Sequence, residues 1–349
     1  MTRIAVVAGA LGIVGQAVSS RLVAEGWTVI GLSRRSSVGQ GGARLISVDL
    51  ADPADTHAML GSLANVSHVF YCAYAPAPSL AEEARLNTRM LVHLVEALEA
   101  GSGDTLAHIQ LMQGSKWYGN HLGPYRTPAR EDDPRHAAPC FYYDQQDWLT
   151  ARRAARGWTW SALRPHGVLG LALGSPMNQL TGIALYAVLC RELGLPLRWP
   201  GAPGAFDCVY QFTEAAWLAQ GMVWAATTPA AADRAFNFTN GDLVRWRELW
   251  PAIARFFEMD TAPPQTISLA QQMADKEPVW AAIRERHRLA PYLLDELTNW
   301  GFVDFVVRSD FDQISDLSAV RRAGWTGVNP SEDAYLRQLA LLRERRIIP

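Results

Sequence analysis

Short apolar runs alternate with longer stretches of mixed polarity through the first half of the chain. The runs near 3–8, 27–32, 44–48, 68–73, 106–112 and 158–164 have strand length, and helical patterns lie between them near 13–25, 54–63, 80–99 and 139–156. Strands that alternate with helices of this length build βαβ units, and so a parallel sheet with helices on both faces. The pattern predicts an α/β chain with a doubly wound nucleotide-binding sheet. Past residue 175 the rhythm is less regular. Helices are expected near 176–193, 213–226, 246–257, 268–287 and 331–344, with strand-like pieces near 197–199 and 234–238. Pro and Gly cluster at Leu195-Pro196 and over 200–204, which marks a loop. The expected organisation is a nucleotide-binding domain over 1–174. A smaller, mostly helical lobe over 175–349 sends short segments back to the sheet.

Gly9-Ala10-Leu11-Gly12-Ile13-Val14-Gly15 follows the first strand and opens the first helix. Its G-x-x-G-x-x-G spacing is a relative of the dinucleotide fingerprint of Rossmann-type folds. A side chain at these glycines would block the tight turn, the approach of backbone N–H groups to a pyrophosphate, or the packing of helix on strand. The helix N-terminus adds partial positive charge for the phosphates. The end of the second strand selects the cofactor. NAD enzymes place Asp or Glu there for the ribose hydroxyls, whereas this chain has Ser33-Arg34-Arg35-Ser36. Guanidinium forks and flanking hydroxyls suit a 2′-phosphate, so NADP(H) is expected. Asp49, in Val48-Asp49-Leu50 after the third strand, is expected at the adenine edge, with an N-cap of the next helix as the other reading.

Composition narrows the partners. The 32 basic and 34 acidic residues leave a net charge of −2. A nucleic-acid backbone would call for a basic excess, so none is expected as partner. No apolar stretch reaches the roughly 18 residues of a membrane span, and the N-terminus runs straight into a strand-like segment instead of a secretory h-region. Cys72, Cys140, Cys190 and Cys208 are far apart without a C-x-x-C pair, and the histidines form no H-x-x-x-H or H-E-x-x-H. Neither disulfides nor a metal site is expected, and a reduced, cytoplasmic setting fits. A hydrolase is not expected, because no G-x-S-x-G elbow occurs. Only two of the basic residues are lysines, Lys116 and Lys276.

Short-chain dehydrogenases use a Tyr beside the carbonyl oxygen and a Lys four residues later, which lowers the Tyr pKa and holds the nicotinamide ribose. No tyrosine here has that lysine. At that spacing Tyr142 is followed by Gln146, Tyr143 by Asp147 and Tyr118 by Leu122. Lys116 is the alternative source. It lies in Leu111-Met112-Gln113-Gly114-Ser115-Lys116-Trp117-Tyr118, at the carboxyl end of a central strand, where doubly wound sheets bind ligands. The pair Tyr142-Tyr143 opens the next helix beside the same crevice, so Lys116 and a tyrosine can converge from separate segments.

The glycine loop, Ser33-Arg34-Arg35, Gly114-Ser115-Lys116-Trp117-Tyr118, Leu122-Gly123-Pro124-Tyr125, Phe141-Tyr142-Tyr143-Asp144-Gln145-Gln146-Asp147, Trp160-Ser161-Ala162-Leu163-Arg164-Pro165 and Phe236-Asn237-Phe238-Thr239-Asn240-Gly241-Asp242 occur in order along nearly the whole chain. Together they resemble the progesterone 5β-reductase/iridoid synthase-like enzymes, an atypical branch of the extended short-chain dehydrogenases. The resemblance implies that Tyr142 is catalytic and Lys116 its partner. It implies NADP contacts from Leu11, Gly12, Ile13, Arg34, Arg35, Asp49, Leu50, Val168, Ser175 and Met177; Gly9, Gly15, Ser33 and Ala73 complete the expected cofactor shell. Tyr74, Trp117, Tyr125 and Phe141 are the expected walls of an apolar site for a small uncharged carbonyl compound. The chain departs from the family where Thr-Trp is replaced by Ala73-Tyr74, Gly-Pro-Phe by Gly123-Pro124-Tyr125, and Arg-Pro-Gly-Asn by Arg164-Pro165-His166-Gly167.

The family adds hydride to the β-carbon of enones, and Tyr142 would then stabilise the enolate oxygen. A ketone or aldehyde reductase (an alcohol dehydrogenase) on the same scaffold is the alternative reading. A non-catalytic NADP sensor is a third. The fold class points to a homodimer.

Overall fold

The computed structural model describes residues 3–35, 42–172 and 177–349. Seven strands form the central sheet: β1 (Ile4–Ala8), β2 (Thr28–Ser33), β3 (Arg44–Ser47), β4 (His68–Tyr71), β5 (His108–Met112), β6 (Thr159–Arg164) and β7 (Arg234–Asn237). Their order is β7-β6-β5-β4-β1-β2-β3, and every pairing is parallel. The central strands are covered on both faces, and β4 is buried at each of its positions. That two-sided burial is why the sequence shows continuous apolar runs there instead of alternation.

Helices α1 (Ile13–Ala24), α2 (Pro53–Leu60), α3 (Leu80–Ser102) and α4 (Phe141–Arg153) connect the strands. One face of the sheet carries α2, α3 and α4, over a core that includes Leu91, Leu94, Leu98, Val69, Ile109 and Leu149. After α5 (Gln179–Glu192), helix α6 (Ala215–Thr227) packs on α1 and covers the other face, with Val14, Val18, Leu218, Met222, Phe70 and Phe236 between them. So α6 and β7, although far along the chain, complete the nucleotide-binding sheet.

The remaining helices of eight residues or more among the described residues are α7 (Trp246–Phe256), α8 (Glu277–His287), α9 (Trp300–Arg308) and α10 (Ser331–Glu344). They pack with α5 around a separate core rich in tryptophan, including Trp199, Trp246, Trp250 and Trp280. No helix among the described residues is long and apolar enough to cross a membrane.

The lobe departs from the expected elements at several points. The single helix expected over 268–287 is two pieces, Leu269–Gln272 and α8. The Asp304 carboxylate accepts hydrogen bonds from the N–H groups of Leu269 and Ala270 at 2.8 and 3.2 Å, which starts the first piece. Pro278 lies in the first turn of the second, where its missing N–H costs nothing. The expected loop over 200–204 runs into a short helix, Pro203–Asp207. Finally, α9 was not foreseen in a segment rich in β-branched and aromatic residues.

Candidate active site

Because the strands are all parallel, their carboxyl ends share one edge. Gly9 follows β1, Ser33 ends β2, Asp49 lies past β3, Ala73 and Tyr74 past β4, Lys116 past β5, and His166 past β6. The glycine loop has no space for a side chain at Gly9 or Gly15. Gly9 adopts φ +75°, and a Cβ on it would lie 2.7 Å from the Cys72 carbonyl oxygen. A Cβ on Gly15 would meet the Gly9 carbonyl oxygen at 2.1 Å. Gly12 caps α1 without a side-chain acceptor, so the first N–H groups of the helix have no side-chain acceptor at the cap. This cradle fits the pyrophosphate of a dinucleotide. Leu11 and Ile13 are half-buried on its rim.

Arg34 and Arg35 are exposed just past β2. The Ser33 hydroxyl accepts a hydrogen bond from the Arg35 N–H at 3.1 Å, and the Ser47 hydroxyl donates to the Arg34 carbonyl at 3.2 Å, which fixes the backbone that carries both guanidinium groups. The cap of α2 is Asp52, whose carboxylate accepts from Ala54 and Asp55 N–H groups. Asp49 is therefore not that cap. It turns on itself, accepting from the Ala51 N–H at 3.0 Å, while Leu50 is buried. Val168 sits in a two-residue strand paired with Thr213. Met177 is exposed, and Ser175 lies outside the described residues.

The turn after β5, Ser115–Tyr118, carries Lys116, and the first turn of α4 carries Phe141, Tyr142 and Tyr143. Tyr142 is buried, and its hydroxyl lies over Gly114, where a Cβ would come within 3.3 Å of it. Burial raises its pKa well above the ordinary phenol value, and Cys140, Tyr74 and Glu83 add to the rise. Burial therefore favours the neutral phenol at Tyr142. Lys116 Nζ lies 5.5 and 6.0 Å from the ring centres of Tyr74 and Phe141, and pairs with Glu83 Oε1 at 3.2 Å. The other oxygen of that carboxylate accepts from the Tyr74 hydroxyl at 2.8 Å. Sequence reasoning missed Glu83, which comes from the first turn of α3.

A buried arginine ties these segments together. Arg164, 2 % exposed at the end of β6, places its guanidinium 3.6 Å from the centre of the Trp117 ring. It donates to Gln113 Oε1, Gln146 Oε1, the Tyr118 hydroxyl and the Glu131 carbonyl. Tyr143 donates to the Trp117 carbonyl at 2.5 Å and meets the Trp117 ring edge to face. So Trp117 is 4 % exposed, and its ring serves the packing of the turn. Tyr74 stands 5.7 Å from Phe141, whereas Tyr125 stacks on Tyr118 and meets the edge of Phe311. His166 is buried, bonds to the Ser115 hydroxyl through Nδ1 at 2.8 Å, and is pushed down to about 4 by burial. It is a neutral brace between the β5 and β6 ends. Lys276 lies far along the chain beside Asp275, just before α8.

Comparison with known proteins gives the chain its family. The profile of the PRISE-like Rossmann-fold domain matches residues 47–349. An (S)-8-oxocitronellyl enol synthase of Camptotheca acuminata is 30 % identical, with 99 % of this chain and 93 % of that protein covered. A second, from Nepeta cataria, is 29 % identical over the same shares. Among solved structures, the UDP-glucose 4-epimerase of Thermotoga maritima superposes with a TM-score of 0.69 at 16 % identity, covering 98 % of this chain and 99 % of that one. WbmH of Bordetella bronchiseptica, in complex with NAD+, gives 0.68 at 16 % identity and 99 % of each chain. These last two share the extended short-chain dehydrogenase fold. The chain therefore belongs to the PRISE-like Rossmann-domain family and is an NAD(P)H-dependent oxidoreductase.

Proposed function

We propose that the protein is an NADPH-dependent reductase that saturates the C=C bond of a small, uncharged α,β-unsaturated carbonyl compound, with Tyr142 as hydrogen-bond donor and Lys116 as its partner. The observation that carries this reading is the Tyr142 side chain, buried at the carboxyl edge of the sheet with its hydroxyl over Gly114, where burial favours the neutral phenol. Arg34 and Arg35 would hold the 2′-phosphate, the Gly9–Gly15 loop the pyrophosphate, and Val168, Met177 and Ala73 the inner half of the cofactor. Bound NADPH supplies a hydride. Tyr142 donates a hydrogen bond to the carbonyl oxygen and stabilises the negative charge that gathers there as the β-carbon is reduced. A neutral phenol suits this role, because the product of conjugate addition is first an enolate and then an enol. The names of the relatives specify an enol product, which supports the same bond order. Tyr74, Phe141 and Tyr125 supply aromatic surface for an uncharged substrate.

The test is NADPH oxidation on 2-cyclohexenone and, in parallel, on an activated aryl ketone, with products identified. Saturated ketone from the enone is the expected result. Alcohol from the aryl ketone, with the enone untouched, would assign carbonyl reduction instead. NADP binding without turnover of either would make the protein a sensor. Tyr142→Phe should lower turnover by about two to three orders of magnitude, as for loss of one oxyanion donor.

A further inference from the structure

We infer that Tyr125 is a specificity residue of this site: its hydroxyl receives a second oxygen of the substrate, so that the preferred compound is an α,β-unsaturated carbonyl with a further hydroxyl or carbonyl group away from the enone. The inference rests on the reading of Tyr142 given above and deepens it. Its basis is a comparison of hydrogen bonds within one group of side chains. Tyr118, Tyr142 and Tyr143 belong to one buried cluster, and Tyr74 and Tyr125 pack against it. Three of these five phenols are taken by the protein. Tyr74 donates to Glu83 Oε2 at 2.8 Å, Tyr118 to Asn237 Oδ1 at 2.6 Å and Tyr143 to the Trp117 carbonyl at 2.5 Å. Among the described residues no hydrogen-bond partner meets the hydroxyl of Tyr142 or of Tyr125. Both differ from Trp117 Nε1, an unpartnered atom of the same cluster that is sealed from contact.

A phenol in aromatic surroundings normally finds a partner, because a polar group kept from water without one is costly. Where three neighbours are bonded and two are not, the bare pair marks the places where ligand oxygens land. Tyr142 takes the carbonyl, which leaves Tyr125 for the second oxygen. The Tyr125 ring is held for this task. It lies 6.3 Å from the Tyr118 ring with the planes 13° apart, and the edge of Phe311 meets it at 6.2 Å. Tyr118 is itself fixed, because its hydroxyl donates to Asn237 and accepts from Arg164 at 3.0 Å. A hydroxyl carried on a rigid stack loses little freedom when a ligand arrives. There is also room beside it. Phe311 lines a cavity of about 590 Å³ between the 120–123 loop and α9, with Leu122 and Phe305 on its wall. That space takes the apolar part of a substrate beyond its second oxygen.

The test pairs substrates that differ only in the second oxygen. (E)-hept-3-en-2-one, (E)-non-3-en-2-one and (E)-undec-3-en-2-one are each compared with the counterpart hydroxylated at the terminal carbon, using NADPH with the full-length protein and with Tyr125→Phe. The variant loses an oxygen that bonds no other protein atom, so the ring keeps its packing. Chain length is varied because it sets the reach of the terminal oxygen. At one length or more the parent should favour the hydroxylated member. Tyr125→Phe should cut that preference in kcat/KM by about 3–10-fold, the worth of one neutral hydrogen bond. The loss should fall on KM more than on kcat, because a bond remote from the reacting carbons is made in ground and transition states alike. A merely structural role would lower both members of a pair together and leave the preference intact. An intact preference at every length, or a parent that shows none, would overturn the inference. A second readout needs no turnover: the saturated ketones of both series are titrated calorimetrically into protein loaded with NADP+, and the same 3–10-fold should appear in Kd. If the parent reduces none of the enones, the proposed reduction falls, and the titration alone decides Tyr125. Enone reduction with the preference unmoved by Tyr125→Phe removes only the role of Tyr125.

Discussion

At the residue scale, the cofactor cradle rests on backbone geometry. Gly9 and Gly15 stand out because a Cβ on either would clash with backbone, whereas at Gly12 it would only make a tight contact of 3.3 Å with the Gly9 carbonyl oxygen. Gly15→Ala should therefore abolish cofactor binding, since a backbone carbonyl 2.1 Å from the new methyl group cannot give way without moving the loop; a calorimetric titration with NADPH checks it. The arginines are a second such feature. Arg34→Ala or Arg35→Ala should weaken NADPH by about 10–100-fold, the equivalent of about 1.5–3 kcal/mol for charge-assisted hydrogen bonds. NADH should be nearly unaffected, and the ratio of the two affinities reads the effect directly. Glu83, in contrast, was hidden in plain sequence. An acid in the first turn of a helix is the ordinary partner of the helix dipole, so nothing in the linear order separates this carboxylate from its neighbour Glu82. Only the fold brings Lys116, 33 positions away, against it.

At the element scale, the βα half was legible because burial on both faces leaves an unbroken apolar signature, and because helix caps are local. Ser79 shows the second point. Its hydroxyl accepts from the Glu82 N–H at 3.2 Å and donates to the Glu82 carboxylate at 2.8 Å, which caps α3. Ser79→Ala should cost about 1 kcal/mol and lower the thermal midpoint by a few degrees. Turnover should persist in that variant, because the Glu83 carboxylate is held by Tyr74 and Lys116 and not by the cap. The helical lobe was less legible for a physical reason. Its starts and stops are set by side chains remote in sequence, as Asp304 sets the start at Leu269. In α9, Phe302, Val303, Phe305, Val306 and Val307 carry strand propensity, yet Asn299 caps the segment by accepting from the Phe302 N–H, and packing against α5 buries Val303 and Val307. Tertiary contact overrides local preference there.

At the scale of the whole molecule, the register of the sheet joins residues that have no relation in sequence, and this gives the protein a pH-dependent stability. His68 on β4 lies directly opposite His108 on β5, with ring centres 6.3 Å apart. His108 in turn bonds Thr159 and Ser161 on β6 through its two ring nitrogens. Neither ring is free to take a proton: burial pushes His68 down to about 4 and His108 to about 3, and each is near the other. His166, at the opposite ends of the strands, is pushed down to about 4 by burial, against a smaller upward effect of its hydrogen bond with Gln313. In the unfolded chain each would titrate at its ordinary value of 6.5. Above that value both states are neutral and these histidines leave stability unchanged. Below it the unfolded chain binds protons that the folded chain refuses, so stability must fall as the pH drops from 6.5 toward 4. Each such proton contributes a slope of up to about 1.4 kcal/mol per pH unit. Carboxylates add to the picture at the acid end of this window: Glu99, held by arginines, is displaced below its usual range, whereas burial raises Glu131 and Asp144, so the histidine effect is read most cleanly between about pH 6.5 and 5.5. Thermal melts across the window should show a midpoint that is level above neutrality and declines through mild acid. His108→Asn, which keeps a polar side chain for Thr159 and Ser161, should lessen the decline. A midpoint that stays constant over the same range would mean that the row of histidines opens to water before the sheet unfolds.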